Sequence, residues 1–110
     1  MHLGERVVRA YLAAWEGAPE QSQPLMAMLR GAIVNANAGA RLRDFIQARL
    51  VHGTSTRTNP DAAFRAGLAS SMLVELVSGR RIIAVPTLAT ADTDDLVVVL
   101  GPAIQQILVL

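Results

Sequence analysis

Apolar residues recur every three or four positions through the first half of the chain, which is the spacing of one buried face on a helix. Gly17-Ala18-Pro19 ends the first such segment. Ser22 can cap a second helix that carries Pro24 in its first turn, and Asn35 is typical of its end. The pattern therefore predicts three helices with these buried positions: Leu3, Val7, Tyr11 and Ala14 or Trp15 in the first, Leu25, Met28, Leu29, Ala32 and Ile33 in the second, and Leu42, Phe45, Ile46 and Leu50 in the third.

A fourth helix is predicted to begin at Asn59-Pro60-Asp61, since this run supplies a capping side chain, a proline at the first helical position and an acid in the first turn. It extends to about Ile83, and Arg80-Arg81 near its end fits the negative end of the helix dipole. Ala, Gly and Ser fill most positions between residues 62 and 71. Such small side chains either interdigitate with bulky neighbours or leave a gap beside them.

Acids at positions 92, 94 and 95 are typical of the start of a fifth helix, and residues 96–100 are all apolar. A helix that is apolar on nearly all sides needs cover on nearly all sides, so we expect a second subunit to supply part of it. Residues 82–85 and 96–100 also allow two buried strands, and hence an α/β fold. The helical reading is favoured because the rest of the chain offers no other strand, so we predict one all-α domain of five helices over residues 1–110.

Composition and charge narrow the possible functions. Ten Arg, no Lys and nine acids give a net charge of +1, which does not suit a protein that depends on phosphate contacts with nucleic acid. The absence of cysteine excludes disulfides and thiolate chemistry. No signal sequence is evident, and Gly101-Pro102 and Gln105-Gln106 interrupt the longest uncharged run. We therefore expect a cytoplasmic protein with no membrane association.

The sequence offers no motif for catalysis or cofactor binding, since it has neither a glycine-rich phosphate loop nor a G-x-S-x-G turn. His2 and His52 are far apart and lack the spacing of metal ligands. We expect no metal site, no cofactor and no enzymatic activity, and a small helical enzyme is the least favoured alternative. Tyr11 and Trp15 are in line on the first helix, where they fit either core packing or the wall of a ligand cavity.

Several short stretches share the order and spacing of a known family. They are Leu29-Arg30-Gly31-Ala32, Leu42-Arg43-Asp44-Phe45, Ser71-Met72-Leu73, Gly79-Arg80-Arg81-Ile82-Ile83, Leu88-Ala89 and Gly101-Pro102-Ala103-Ile104-Gln105-Gln106-Ile107-Leu108. In this order they resemble the C-terminal regulatory domain of TetR-family transcriptional regulators, of the actinobacterial type. Glu75, Arg81 and Thr87 depart from that pattern, where the family often has Gly, Tyr and Pro.

The resemblance implies a homodimer in which the last two helices of both subunits form a four-helix bundle. The contacts we expect are Leu73, Val77, Val97, Leu100, Ile104 and Leu108. The resemblance also implies a pocket for a small apolar effector among the first four helices. The residues alone allow either a filled core or a cavity there, and with the resemblance we expect a cavity with these walls: Tyr11, Trp15, Met28, Phe45 and Met72.

The family's helix-turn-helix head has no counterpart in this sequence. We therefore expect no specific DNA binding by this chain alone, because DNA would be read by the head of a full-length parent. The predicted function is effector sensing and dimerisation for a transcriptional repressor. The alternative is a homodimerisation module with a filled core and no ligand.

Overall fold

A computed structural model describes residues 3–53 and 60–109. Within these ranges the chain is almost entirely helical and contains no strand, so the prediction of an all-α fold is confirmed and the two-strand alternative is wrong. The elements are α1 (Leu3–Glu16), α2 (Pro19–Val34), α3 (Ala36–Gly53), α4 (Pro60–Val77), a π-helical turn (Ser78–Ile82), α5 (Pro86–Ala89) and α6 (Thr93–Leu108). The single turn α5 is the one helix among these that the sequence pattern does not predict.

The second helix begins four residues earlier than the sequence predicts, with Ala18 and not Ser22 at the capping position. Pro19 occupies its first turn, where the fixed φ of proline suits a helix and its missing N–H costs nothing. Ser22 is therefore buried inside α2 and does not cap it, and its hydroxyl donates to the Gly17 carbonyl oxygen over 3.3 Å. The prediction of Ser22 as the cap is wrong because proline at Pro19 is the stronger start signal.

Asn35 joins α2 to α3, as its predicted place at a helix end suggests. Its backbone N–H donates to the Gly31 carbonyl oxygen at 2.9 Å, which closes α2. Its side-chain Oδ1 accepts from the N–H groups of Asn37 at 2.9 Å and Ala38 at 3.1 Å, which caps the start of α3. The predicted start of α4 is also confirmed at Pro60, although the capping residue Asn59 lies outside the described residues.

The chain leaves α4 through a widened turn. The Ile83 N–H donates to the Ser78 carbonyl oxygen at 2.9 Å, and the Val85 N–H donates to the Gly79 carbonyl oxygen at 3.0 Å. Between them Ala84 adopts φ 59°, the left-handed conformation that commonly ends a helix and that glycine usually supplies. Pro86 then starts α5, and the chain turns towards α6.

Two groups of buried residues hold the helices together, and α1 belongs to both. The α6 cluster joins α1, α4 and α6 through Val8, Leu12, Ala69, Leu73, Val97 and Ile104. The α2 cluster joins α1, α2, α3 and the end of α4 through Trp15, Met26, Leu29, Leu42 and Val77. Gly4, Val8 and Leu12 of α1 thus pack towards α6, whereas Trp15 near its C-terminal end packs on α2.

The backbones of α1 and α6 approach closely at two glycines. A Cβ on Gly4 would overlap the carbonyl oxygen of Gly101, and a Cβ on Gly101 would lie 2.6 Å from Cγ of Glu5. The Gly4 N–H also donates to Oε1 of Gln105 at 2.7 Å, which satisfies one of the free N–H groups at the start of α1. Glycine is therefore required at Gly4 for α1 to lie directly on α6.

Candidate functional site

A cleft of about 190 Å³ lies between α1, α2 and α3. Tyr11, Trp15 and Phe45, three of the five predicted wall residues, line it. The other four lining residues were not predicted as walls, although three of them were predicted as buried positions: Ala14, Leu25 and Ile46, with Ala10 as the fourth. Ala10 and Ala14 are four residues apart on one face of α1, and their short side chains leave space that the larger residues of α2 and α3 do not fill.

The chemistry of this cleft is apolar and uncharged. None of its seven described lining residues carries a charge. Among the lining side chains only Tyr11 and Trp15 carry a polar group, and both combine an apolar ring with one hydrogen-bonding group. Trp15 is buried, and Phe45 is 37% exposed at the rim, so the cleft has a closed side and an open side. Such a site can hold a small neutral molecule and orient it with a few hydrogen bonds.

Two predicted wall residues lie elsewhere. Met28 is half-buried and packs against the α2 cluster. Met72 is 44% exposed on α4, because the adjacent Leu73 occupies the inward-facing position and successive residues differ by about 100° around a helix. The described cleft is thus formed by three helices. The sequence predicts that α4 also contributes a wall, but no residue of α4 lines this cleft.

The residues predicted as dimer contacts lie mainly inside this chain. Leu73, Val77, Val97 and Ile104 are buried in the two clusters, and Leu100 and Leu108 are half-buried against the α6 cluster. Val77 is covered by α1, α2 and α3, and the others are covered by α1 and by the contact between α4 and α6, without a second subunit. An apolar pattern shows which residues need cover but not which helix provides it.

The apolar surface that α4 and α6 leave open is formed by their neighbouring positions. Phe64, Leu68 and Met72 succeed one another four residues apart along α4, and all three are exposed. Val99, which is 73% exposed, and Ala103 are four residues apart on α6. Phe64, Leu68 and Ala103 share one groove between the helices. We call these five residues the α4–α6 face.

A buried ion pair joins the end of α1 to the turn after α4. Arg80, which is 3% exposed, donates to Glu16 twice: from Nε to Oε2 at 3.0 Å and from Nη2 to Oε1 at 2.9 Å. Arg80 Nη1 also donates to the carbonyl oxygens of Leu88 at 2.7 Å and Ala91 at 3.0 Å. Arg81, which is 43% exposed, adds a bond from Nη2 to Glu16 Oε1 at 2.9 Å.

These contacts correct the interpretation of Arg80-Arg81 as residues that only complement a helix dipole. Burial raises the pKa of the Glu16 carboxyl, but the hydrogen bonds and positive charges of Arg80 and Arg81 outweigh it, so the pKa lies below its ordinary value. The hydrogen bond to Glu16 raises the pKa of Arg80, although burial opposes it. No sequence signal links Glu16 to Arg80, because 64 positions separate them.

The described residues show neither a metal site nor a membrane span. No group of three or more His, Cys, Asp or Glu side chains among them is placed to hold a metal ion. Likewise, no helix in residues 3–53 or 60–109 is long and apolar enough to cross a membrane. His2 and the side chain of His52 lie outside the described part of the chain.

Comparison with known proteins gives one result. The family model of the tetracycline repressor-like C-terminal domain matches residues 2–108, nearly the whole chain. The comparisons with curated proteins and with solved structures gave no significant match. Domains of the matched family are typically regulatory: they bind small effectors and dimerise, and they are not usually catalytic. The resemblance seen in the sequence is confirmed, and the chain belongs to the tetracycline repressor-like C-terminal domain family.

Proposed function

We propose that this chain is the effector-sensing and dimerisation domain of a TetR-family transcriptional repressor. The observation that carries the proposal is the double role of α1. Its residues Tyr11 and Trp15 line the cleft, while Gly4 and Val8 pack on α6, which presents half of the α4–α6 face. A ligand that shifts α1 therefore acts directly on the helix proposed to contact the second subunit.

The cleft supports a small, neutral and mainly apolar effector. An apolar cavity of about 150 Å³ in another protein is large enough for benzene. At about 190 Å³ the cleft suits a molecule of one or two fused rings. The open space beside Ala10 and Ala14 is the reason to favour a sensor over a dimerisation module with a filled core.

Thermal unfolding with indole as the probe tests the effector site. A ligand that binds only the native state raises the unfolding temperature by mass action. We expect indole to raise it for the unmodified chain and not for Ala10→Leu, in which the larger side chain fills the cleft. Ala27→Leu is the matched control, since Ala27 is exposed on α2 and does not line the cleft. Equal shifts in the two variants would rule out this site.

The α4–α6 face supports a second copy of this chain as the partner. Domains of this family are typically dimeric, and five apolar side chains on two adjacent helices form a surface of the same composition on each copy. Two such faces related by a two-fold axis place four helices together. A stable dimer needs about 1,200 Å² of total buried surface, which two pairs of helices of this length can provide.

Sedimentation velocity at micromolar concentration tests the dimer. We expect the unmodified chain to be a dimer and Val99→Arg to be a monomer, because the guanidinium would be buried without a partner in an apolar interface. Val34→Arg is the matched control, since Val34 is 83% exposed on α2, away from the α4–α6 face. If Val99→Arg remained dimeric with the same stability as Val34→Arg, the face would have to be abandoned as the interface.

A further inference from the structure

A second cavity lies on the other side of Trp15. Ala14 and Glu16 project to opposite sides of Trp15 on α1, and Ala14 faces the apolar cleft whereas Glu16 faces this second space. The cavity measures about 480 Å³ and lies between α1, α2 and the π-helical turn. Its described lining residues are Trp15, Glu16, Gln23, Met26, Arg30 and Arg81.

The side chains that line this cavity carry more positive than negative charge. Two guanidinium groups, those of Arg30 and Arg81, line it together with one carboxylate, that of Glu16. Glu16 accepts two N–H bonds from the buried Arg80 and one from Nη2 of Arg81, so three guanidinium groups lie near this single carboxylate. Arg81 is partly exposed, and Arg30 is exposed and forms no ion pair with any described residue. The site therefore keeps a surplus of positive charge with donors free to bind an anion.

The floor of the cavity is apolar. Trp15 and Met26 are both buried members of the α2 cluster, and each lines the cavity. A thioether and an indole favour an aromatic ring as neighbour. Gln23 adds an amide that can either donate or accept a hydrogen bond.

From this combination we propose that the cavity binds a planar aromatic carboxylate. Its ring lies against Trp15 and Met26, and its carboxylate accepts hydrogen bonds from Arg30 and Arg81. This site is distinct from the neutral effector cleft and does not depend on the function proposed for that cleft. The two sites share the indole of Trp15 as a common wall.

Trp15 is the single tryptophan of the chain, so its indole N–H gives one resolved signal in a nitrogen–proton NMR spectrum of the full chain. Benzamide has the same ring without the charge and also fits the neutral cleft that Trp15 lines, so the comparison is made in Ala10→Leu, in which that cleft is filled. In that variant we expect benzoate to shift the signal saturably and benzamide to leave it unchanged. Acetate, which has the charge without the ring, binds at least about tenfold more weakly than benzoate.

Variants on the two arginines locate the site. Arg30→Gln and Arg81→Gln should each weaken benzoate binding about tenfold or more, because each removes a charged hydrogen bond. Arg41→Gln is the matched control, since Arg41 is exposed on α3 and does not line the cavity. Ala10→Leu fills the other cleft and should leave the affinity for benzoate unchanged.

Three results would overturn this proposal: equal binding of benzoate and benzamide in Ala10→Leu, equal binding of benzoate and acetate, or affinities of the two arginine variants equal to that of Arg41→Gln. Loss of benzoate binding in Ala10→Leu would also overturn it, because it would place benzoate in the apolar cleft. None of these results touches the thermal-shift test with indole, so the two proposals fail or stand separately.

Discussion

The two halves of α1 show how small residues can produce opposite kinds of packing. In the first half, Gly4 lies against the backbone of Gly101, and the helices close on each other. In the second half, Ala10 and Ala14 face Phe45 and Ile46 of α3, and a cleft remains. The type of packing depends on the group of the neighbouring helix that faces the small residue. A backbone can approach a small residue closely, whereas bulky side chains that are already packed elsewhere cannot.

The difference extends to the clusters that each half joins. Most side chains of the α6 cluster are at most 1% exposed: Val8, Leu73, Val97 and Ile104. In the α2 cluster only Val77 is buried to this degree, the other members are 4–9% exposed, and Trp15 borders the open cleft. We infer that α1, α4 and α6 form the rigid part of the domain and that α2 and α3 form the part able to adjust to a ligand. The following predictions test this comparison, from the largest expected effect to the smallest.

Truncating one isoleucine in each region compares the two directly. Ile104→Ala should cost about 4 kcal/mol of unfolding free energy, because it opens a cavity in a fully packed cluster. Ile46→Ala should cost only about 1 kcal/mol, because Ile46 is half-buried and already borders the cleft. Urea unfolding at one fixed protein concentration measures both values. Equal costs would show that the α2 side is packed as tightly as the α6 side.

The ion pair at the boundary between the two regions is the next test. Arg80→Met should cost about 3 kcal/mol, because the buried Glu16 loses two donors and the Leu88 and Ala91 carbonyl oxygens lose their side-chain donor. Arg81→Met should cost less than about 1 kcal/mol, since Arg81 makes one bond from a partly exposed position. Thermal unfolding of the two variants measures both losses of stability. A small effect of Arg80→Met would mean that the turn before α6 is held by packing alone.

Two glycine variants test the close approach of α1 to α6. Gly4→Ala should destabilise the fold by about 2 kcal/mol, because the new methyl group collides with the Gly101 backbone. Gly67→Ala should stabilise it by about 0.5–1 kcal/mol, because Gly67 lies inside α4 with nothing near a new Cβ and alanine favours a helix. Urea unfolding of the two variants measures both changes in the free energy of unfolding. Stabilisation by both substitutions would indicate that α1 can move off α6 without loss.

Much of the fold could be predicted because its signals are local. Helix periodicity, Pro60 at the start of α4 and Asn35 at a helix end each depend on residues within one or two turns of each other. The error at Ser22 had a local cause too, since two start signals competed and Pro19 prevailed. The unpredicted α5 is a single turn, too short to produce a periodic pattern.

The site was less predictable because it depends on which helix covers which face. Tyr11, Trp15 and Phe45 were expected to line a cavity because they are bulky residues on the inner faces of their helices and the family resemblance implies a pocket there; all three line the cleft. Met72 was predicted to line the cavity, but it is exposed. Leu73, the next residue on α4, occupies the inward-facing position. The Glu16–Arg80 pair joins residues far apart in sequence, and only the folded chain brings them together.

The smallest predicted effect concerns the link between the two regions. Ala84 is exposed and has φ 59°, a conformation that costs an L-residue roughly 1–2 kcal/mol and glycine almost nothing. Ala84→Gly relieves that strain, while the added freedom of glycine in the unfolded chain offsets about 0.4–1 kcal/mol of the gain. The net expectation is a stabilisation of about 0.5 kcal/mol, which corresponds to a rise of about 2–4 °C in Tm. Ala27→Gly is the matched control, because Ala27 is exposed inside α2, where glycine should cost about 1 kcal/mol. Calorimetry of the two variants should therefore give shifts of opposite sign. If Ala84→Gly lowered Tm as much as Ala27→Gly, the turn after α4 would not carry the strain that its backbone conformation implies.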